Sequence, residues 1–456
     1  MIVMKFGGTS VESAAAIESV AAIVKTRLDR KPVVVVSAMG KTTNKLLGIA
    51  QAAIAGRRDE YLPQLHDLRG YHSREARQVA PLSERAELDR VLDDHFQELT
   101  ELVKGLAVLG ELTPRSIDAI SSYGERLSSY IVALAFRHSG IPAAHVDSRR
   151  LIVTDNRHTQ AAPLFDLTYA RLAREIPPLA ERQVVVMGGF IGATADGVPS
   201  TLGRGGSDYT ASIAGAGIGA EEIQIWTDVD GMLTADPTIL PGGRRVKTIS
   251  FSEAAELAYF GAKVLHPATV LPAIERNIPV LILNSRRPEV AGTRIVAEAV
   301  HCSNIVKSIA CKRNITLVNI TSTRMLMAYG FLKRIFELFD RFETSVDMVS
   351  TSEVSVSLTI DNPKRLPEIC AELRQFSEVS IEDHQAIVCV VGDNIRSTPG
   401  VAGRVFQALN GINIRMISQG SSLVNLSFVV AEKDLHPAVE ALHRELFTQL
   451  DPNVFE

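Results

Sequence analysis

The sequence predicts an α/β protein in which a largely parallel sheet lies between helices and two small ferredoxin-like modules follow. Over residues 1–300, short apolar runs alternate with longer helical patterns, an order typical of a parallel sheet covered by helices. After about residue 300 the elements become shorter and follow the order βαββαβ. Apolar residues make up 46% of the 456 residues, which excludes a disordered chain.

The first strand and helix follow from residue types alone. Residues 2–6 predict a strand, and residues 9–12 (Thr-Ser-Val-Glu) match a capping box that would open a helix. In that helix Ile17, Val20 and Val24 form one apolar stripe, as expected of a helix packed on a sheet.

The remaining strands of the sheet are predicted from runs of β-branched residues. These runs are at 32–36, 184–187, 223–226 and 280–283. Residues 46–134 are mostly helical and charged, which indicates an insertion packed beside the sheet.

The C-terminal part predicts two similar modules. In the first module, strands are predicted at 316–321, 345–350, 354–360 and 379–382, with helices at 331–342 and 364–376. The second module begins at 386, ends with a helix around 439–446 and lacks a sixth strand. We expect 305–311 to supply that strand and so to remove an exposed sheet edge. The expected domains are 1–300, 313–384 and 385–456.

The composition disfavours some classes of partner and predicts the cellular compartment. The formal net charge of −4 gives no basic surface for a nucleic-acid backbone, so nucleic acid is not an expected partner. The four cysteines include no CxxC pair and indicate free thiols in a reducing compartment. No run of about 18 apolar residues and no signal-peptide pattern is present. The sequence therefore predicts a cytoplasmic protein with no membrane partner.

Five turns rich in glycine and charge, most of them at strand ends, predict phosphate chemistry. They are 5–10 (KFGGTS), 188–192 (GGFIG), 202–209 (LGRGGSDY), 226–231 (WTDVDG) and 260–267 (FGAKVLHP). Lysines and bare backbone N–H groups at such turns suit an anionic phosphate. Two other matches are weaker: 40–42 (GKT) lacks the first glycine of a P-loop, and 215–220 (GAGIGA) follows a helical pattern and indicates a helix-ending turn.

These motifs, together with SSYGE at 121–125 and SVDMVSTSEVSVSL at 345–358, resemble those of the aspartate kinases. The resemblance covers nearly the whole chain and is strongest to monofunctional, lysine-inhibited members. It implies an amino-acid-kinase fold followed by two ACT modules, the regulatory ferredoxin-like units of that family. It also implies ATP-dependent phosphorylation of the L-aspartate side chain to 4-phospho-L-aspartate, the first step of lysine, threonine and methionine biosynthesis.

The resemblance assigns the catalytic residues. Lys5 and Lys263 would flank the transferring phosphoryl group, and Asp208 would hold both ammonium groups in place. No general base is required, because the accepting carboxylate is already ionised at neutral pH. ATP would arrive with Mg²⁺, which phosphate oxygens and water would hold, so no protein metal ligand is expected.

The resemblance also assigns the two substrates. For L-aspartate, Arg204 would bind the α-carboxylate, Glu125 the ammonium and Thr43 a carboxylate oxygen. The positions that match ATP contacts of the family are Lys5, Phe6, Gly7, Gly8, Ser37, Thr227, Asp228, Lys263 and Val264. Two positions depart from the family pattern, because Leu233 and Thr238 replace its usual tyrosine and arginine.

Regulation by L-lysine is implied by a second set of matching positions. They are Met325, Phe331, Leu332, Ser345, Val346, Asp347, Thr351, Ser352 and Glu353. Asp347 and Glu353 would supply the negative charge that a lysine ligand needs, whereas Ala328 replaces a serine common in the family. Because this pocket forms between paired ACT modules in the family, a homodimer is expected.

Two alternatives remain at this stage. Another amino-acid kinase, acting on glutamate, acetylglutamate or carbamate, would share the fold but not the pairing of ACT modules with Arg204 and Glu125. A non-catalytic amino-acid sensor would need only the C-terminal modules, and the presence of Lys5, Arg204 and Asp208 disfavours it.

Overall fold

The structure is a computed structural model that describes residues 1–261, 267–298, 304–322 and 329–456. Lys263, Val264 and Met325, for which the sequence predicts functional roles, lie outside the described residues. The chain forms two compact units. The first unit contains Met1–Met232 and Val264–Ala297, and the second contains Leu233–Lys263 and Glu298–Glu456.

Strands and helices are numbered here along the described chain. The strands are β1 (Ile2–Phe6), β2 (Pro32–Val36), β3 (Ala143–Val146), β4 (Val153–Thr154), β5 (Val184–Gly188), β6 (Ile191–Thr194), β7 (Pro199–Thr201), β8 (Glu222–Thr227), β9 (Thr248–Ser250), β10 (Val280–Asn284), β11 (Thr293–Val296), β12 (Val306–Thr321), β13 (Val349–Thr351), β14 (Ser355–Ile360), β15 (Glu378–Gly392), β16 (Ile414–Gln419) and β17 (Asn425–Ala431). The helices are α1 (Ala14–Lys25), α2 (Thr42–Ile54), α3 (Arg58–Val79), α4 (Arg85–Leu109), α5 (Pro114–His138), α6 (Phe165–Ala180), α7 (Gly206–Ile218), α8 (Phe251–Tyr259), α9 (Leu271–Glu275), α10 (Phe331–Arg341), α11 (Leu366–Leu373), α12 (Val401–Ala408) and α13 (Leu435–Leu446).

The first unit is built on a sheet with the strand order β3-β5-β2-β1-β8-β10-β11. Neighbouring strands are parallel except at the β10–β11 pair. β1 and β2 are buried along their whole length, which explains why, apart from Lys5, their sequences are continuous apolar runs. Because these strands run in the same direction, their carboxyl ends meet at one edge, where the glycine-rich turns after β1, β5 and β8 follow.

The first helix begins later than the sequence predicts. Residues Gly8–Val11 form a short 3₁₀ turn, and α1 starts at Ala14 with Ser13 as its N-cap. The Ser13 hydroxyl accepts the N–H of Ala16 at 3.2 Å. The expected capping box at residues 9–12 is therefore wrong. Ser10 is instead bonded through its hydroxyl to that of Ser285, at 2.8 Å, across the sheet edge.

The predicted helical insertion is confirmed as helices α2 to α5, which pack their apolar faces into the main core of the first unit. A small sheet of β4, β6 and β7 also belongs to this unit. β7 leads directly into the 202–206 turn and α7. The GAGIGA segment ends α7, with Gly219 in the left-handed region at φ 63°, as predicted for a helix-ending turn.

The second unit contains a sheet with the strand order β13-β14-β12-β15-β17-β16. β12 and β15 are long antiparallel partners: the start of β12 pairs with 387–392, and its end pairs with 378–382. The two short strands expected at 379–382 and from 386 onward are thus one continuous strand, β15. The strand predicted at 345–350 is shorter than expected and spans only Val349–Thr351, while the helix predicted at 364–376 is α11 with a 3₁₀ turn before it.

No helix in the described part of the chain is both long and apolar enough to cross a bilayer.

Candidate active site

Lys5 lies at the carboxyl end of the central strand of the parallel sheet. β1 places it between Val35 of β2 and Ile225 of β8, and its side chain is only 11% exposed. Its ammonium forms an ion pair with Asp208, with 2.7 Å between Nζ and Oδ1. A lysine buried in this way needs a fixed anion, and Asp208 supplies it. The predicted pairing of Lys5 with Asp208 is present in the structure.

The turn after Lys5 requires glycine because two loops meet there. A Cβ atom on Gly8 would lie 2.8 Å from the carbonyl oxygen of Gly40 and 2.9 Å from that of Ala38. The N–H of Gly40 in turn donates to the Gly8 carbonyl at 2.9 Å. Any larger residue at position 8 would force these loops apart. Because Gly7 and Gly8 carry no side chains, their backbone is uncovered beside the Lys5 ammonium.

A cleft of about 360 Å³ opens over the Lys5–Asp208 pair. It is lined by Lys5, Gly8, Ser37, Ala38, Gly40, Thr43, Glu125, Phe190, Gly203, Arg204, Gly205, Gly206, Ser207 and Asp208. The three predicted substrate residues, Thr43, Glu125 and Arg204, therefore face the same cavity as the predicted phosphoryl-transfer residues. Thr43 lies in the first turn of α2, and Asp208 in the first turn of α7.

Glu125 is a buried carboxylate with one oxygen still available. It lies in α5, its Oε1 accepts the N–H of Ala38 at 3.1 Å, and its Oε2 is buried without a hydrogen-bond partner in the structure. Burial raises the pKa of Glu125 to about 8, and the bond from the Ala38 N–H opposes this rise. A ligand's ammonium would supply the partner that Oε2 lacks and would favour the ionised form of this carboxyl.

Arg204 supplies the opposite charge in the cleft. It follows Gly203 in the turn before α7 and is exposed to solvent. Within the described residues, no carboxylate forms an ion pair with its guanidinium. Its five donors are therefore available for a ligand carboxylate. Together, Glu125 and Arg204 present a negative and a positive partner to a small zwitterion.

Those other predicted ATP contacts that the structure describes lie at the same sheet edge. Thr227 ends β8 next to β1, since the N–H of Gly7 donates to the Trp226 carbonyl at 3.3 Å. Asp228 follows Thr227, and neither of them lines the cleft over Lys5. The Phe6 ring is fully buried and stacks on Trp226, with 5.8 Å between ring centroids, so only its backbone faces the turn.

The predicted effector residues lie in the second unit. Asp347 is nearly buried, and its Oδ1 accepts the Lys312 ammonium at 2.7 Å and the Tyr259 hydroxyl at 3.3 Å. Glu353, by contrast, is exposed. Phe331 is buried and packs edge-on against Phe376, whereas Leu332 is 40% exposed. Ser345 and Val346 precede β13 without regular structure, Thr351 is its last residue, and Ser352 follows it.

Sequence reasoning missed two contributors to the cleft. Ala38 holds Glu125 through its backbone N–H, and a backbone donor leaves no trace in residue type. Phe190 stood inside a glycine-rich motif without an assigned role, yet it lines the cleft and has a positive φ of 64°. The uncommon conformation of a phenylalanine there could not be read from the sequence.

The parallel sheet and the helices around it define a protein of the amino-acid-kinase class, as comparisons with known proteins show. The family model of the amino acid kinases matches residues 1–284, and an ACT domain model matches 388–446. The chain is 40% identical to the chloroplastic aspartokinase 3 of Arabidopsis thaliana, over 98% of this chain and 81% of that protein. It is 35% identical to the lysine-sensitive aspartokinase 3 of Escherichia coli, over 98% and 99%.

Comparison with solved structures indicates the same family as comparison with these sequence relatives. The chain superposes on E. coli aspartokinase III in complex with lysine and aspartate with a TM-score of 0.85 and 34% identity, covering 98% of this chain and 99% of that one. The complex of the same enzyme with aspartate and ADP gives a TM-score of 0.83. The chain therefore belongs to the amino acid kinase family and, within it, to the aspartokinases.

Proposed function

We propose that the cleft over Lys5 binds L-aspartate between Glu125 and Arg204 and transfers the γ-phosphoryl group of ATP to its side-chain carboxylate. The observation that supports this proposal most is the Lys5–Asp208 ion pair, which lies in the same cavity as an unpartnered Glu125 oxygen and an unpaired Arg204 guanidinium. The lysine proposed to assist phosphoryl transfer and the two charged residues proposed to bind a zwitterion therefore line one cavity of about 360 Å³.

The transfer itself needs position and charge more than proton chemistry. An oxygen of the aspartate side chain attacks the γ-phosphorus, and the bond to the β-phosphate bridging oxygen breaks. Lys5 neutralises the negative oxygens that crowd together, and Asp208 keeps its ammonium at the end of β1. Lys263 is proposed to flank the phosphoryl group from the other side. No group has to remove a proton from an ionised carboxylate.

Aspartate is proposed to lie with its ammonium on Glu125 Oε2 and its α-carboxylate on Arg204. Thr43, at the start of α2, would donate to a carboxylate oxygen. This arrangement leaves the side-chain carboxylate directed toward Lys5. The longer glutamate side chain would carry its carboxylate past that position, so we propose that the cleft discriminates by length.

ATP is proposed to lie along the edge formed by Gly7, Gly8, Ser37, Thr227 and Asp228. Mg²⁺ would arrive with ATP and neutralise phosphate charge when bound, mainly through phosphate oxygens and water. Asp208 already has Lys5 as its partner, which agrees with a site that offers the metal few protein ligands.

The reaction is tested by incubating the protein with ATP, Mg²⁺, L-aspartate and hydroxylamine and measuring the hydroxamate of aspartate. An acyl phosphate reacts with hydroxylamine, so the expected result is hydroxamate that requires both ATP and aspartate. Parallel incubations with L-glutamate and N-acetylglutamate serve as controls. A larger hydroxamate yield with either of these would contradict the assignment of aspartate.

We predict that aspartate binding strengthens as pH rises toward 8. Because the pKa of Glu125 in the free protein is raised to about 8, the carboxyl is mostly protonated at lower pH, whereas the proposed site binds the ammonium to the ionised form. Below that pKa, KM for aspartate should therefore rise about tenfold for each unit of falling pH. Initial rates between pH 6 and 9 measure this slope.

The control for this prediction is Glu125→Gln, which keeps the shape but removes the titrating group. It should raise KM for aspartate at pH 8 and abolish the pH slope. A slope that persists in Glu125→Gln would mean that another group controls the pH dependence.

We further propose that L-lysine inhibits the enzyme by binding beside Asp347. Burial raises the pKa of the Asp347 carboxyl above its ordinary value, and the bond from Lys312 opposes this rise. Its Oδ2 atom is buried without a hydrogen-bond partner in the structure. A second ammonium, from the effector, would satisfy that oxygen. Glu353 is proposed as a more exposed partner of the effector.

We predict that Asp347→Ala raises the lysine concentration for half-inhibition by about tenfold, because a charge-assisted contact is lost. Glu353→Ala should have a smaller effect, since an exposed contact is screened by water. The measurement is a lysine titration at fixed ATP and aspartate, scaled to each variant's own rate without lysine.

A matched control is Asp361→Ala, because Asp361 also pairs with Lys312, at 2.8 Å, but lies outside the effector segments. Its half-inhibition value should stay within about twofold of the wild type. Equal shifts in Asp347→Ala and Asp361→Ala would instead point to loss of a Lys312 partner as the cause. Inhibition by threonine and not by lysine would contradict the assignment of lysine as the effector.

The assembly and domain limits are proposed as follows. Residues 1–300 form the catalytic domain, and 313–384 and 385–456 form two ACT modules, with 305–311 completing the second. The antiparallel pairing of the start of β12 with 387–392 supports that division. We propose a homodimer through the ACT modules, acting in the cytoplasm. Light scattering of the full chain and fractionation of cells test these two points.

A further inference from the structure

Asp118 is a buried carboxylate in α5 that lies two helical turns before Glu125. Its side chain is 0% exposed, and several neighbouring groups form hydrogen bonds to its oxygens. Thr159 donates its backbone N–H at 3.0 Å, His158 lies 2.8 Å away through Nδ1, and the Thr201 hydroxyl donates to Oδ1. A carboxylate is expensive to bury, so such a site persists only when its oxygens are fully bonded.

Thr159 has a backbone conformation that its side chain disfavours. Its φ is 72°, in the left-handed region, where a β-branched residue is an outlier. Strain of this kind persists only where the surroundings hold the residue in place, and it concentrates at functional sites. Here both oxygens of Asp118 bind the Thr159 N–H. Asp118 therefore fixes this strained residue.

The strained residue supports the turn that carries Arg204. A Cβ atom on Gly203 would lie 3.2 Å from the Thr159 carbonyl oxygen, so the two backbones are in close contact. Gly203 itself has a φ of 75°, and its carbonyl accepts the Gly206 N–H at 3.0 Å to close the turn. Thr201, the second residue bound by Asp118, lies two positions before Gly203.

We propose that Asp118 is a positioning residue for aspartate binding: through Thr159 and Thr201 it fixes the 203–206 turn and so aims Arg204 into the cleft. The proposal rests on the proposed role of Arg204 in binding the α-carboxylate. Asp118 contacts neither substrate. Its effect should fall on the amino-acid substrate, because the bonded loops carry Arg204, whereas the proposed ATP contacts lie on the turns that follow β1, β2 and β8.

The first test compares Asp118→Asn with the wild type. Asparagine keeps the volume but offers one acceptor oxygen in place of two, so the donors from the two loops cannot all be bound. We expect KM for aspartate to rise about tenfold, with KM for ATP within about twofold. A general structural defect would raise both KM values or lower the fraction of active enzyme.

A second pair of variants makes a smaller change and keeps the proposal testable if Asp118→Asn does not fold. Thr201→Val removes only the hydroxyl donor, and Thr201→Ser retains it. The valine variant should raise KM for aspartate and the serine variant should restore it to near the wild-type value. Thr316→Val is a matched control, because the Thr316 hydroxyl also donates to an aspartate, Asp383, at 2.7 Å, but in the second unit. It should leave KM for aspartate unchanged.

The decisive measurement adds Arg204→Ala. If Asp118 acts through Arg204, Asp118→Asn should raise KM for aspartate in the wild type but not in the Arg204→Ala background. An equal rise in both backgrounds, or no rise in either Asp118→Asn or Thr201→Val, would overturn the proposal. If Arg204→Ala alone left KM for aspartate unchanged, the proposed role of Arg204 would fail first, and this inference would be rejected with it.

Discussion

Replacing Lys5 with alanine should lower turnover about a hundredfold to a thousandfold, the usual cost of losing one donor aimed at transition-state charge. Its ammonium is fixed by Asp208 at the end of a fully buried strand, so the alanine variant lacks the positive charge at that point of the cleft. The loss should fall on kcat, because this contact is proposed to strengthen only as charge develops on the phosphoryl group.

Two further variants separate charge from packing at this position. Lys5→Met keeps much of the buried stem and should lose as much turnover as the alanine variant. Lys31→Ala removes an exposed lysine paired with Glu181 and should leave turnover unchanged. Single-turnover rates with saturating ATP and aspartate measure the effect. Retention of more than about a tenth of wild-type turnover in Lys5→Met would remove the catalytic role from Lys5.

Replacing Arg204 with alanine should raise KM for aspartate by about tenfold to a hundredfold and change KM for ATP by less than about twofold. No carboxylate among the described residues pairs with the guanidinium in the cleft, so its removal leaves none of those carboxylates unpaired. The rise in KM for aspartate should therefore measure the loss of the ligand contact and not a folding defect. Steady-state kinetics with each substrate varied in turn provide both constants.

Arg204→Lys is the matched control for that variant. It keeps the charge but not the planar pair of donors, so KM for aspartate should lie between the values for wild type and alanine. Equal increases in KM for aspartate and for ATP would place Arg204 on the phosphates instead.

Local sequence was sufficient for the parts of the fold that depend on burial. Apart from Lys5, β1 and β2 are apolar along their whole length because both faces of a parallel sheet are covered, and this leaves a nearly continuous apolar run in the sequence. The position of the site was predictable for the same reason. Turns that follow parallel strands meet at one edge, so the motifs after β1 and β8, more than 200 residues apart, could be assigned to one edge. The pairing of Asp208 with Lys5 came from the family resemblance, because the turn before α7 follows β7 of the small sheet.

Local sequence failed where a distant partner decided the outcome. The capping signal at residues 9–12 was not used, because that turn packs against the loop containing Gly40 and bonds to Ser285. The C-terminal modules were predicted as separate strand sets, but β12 and β15 continue through both. Residues 233–263, which the proposed catalytic domain includes, are grouped with the second compact unit, and no local signal in the sequence marks that division.

The sequence by itself determined which residue types stand at the sheet edge, since apolar runs and glycine-rich turns are local signals of burial and close approach. Only the tertiary structure decided their chemical state. Glu125 is an ordinary acid in the sequence, and its pKa is raised to about 8 only because the fold removes it from water. Asp118 carries no local signal of function, and it is linked to Arg204 only because folding brings residues 159 and 201 onto its two oxygens.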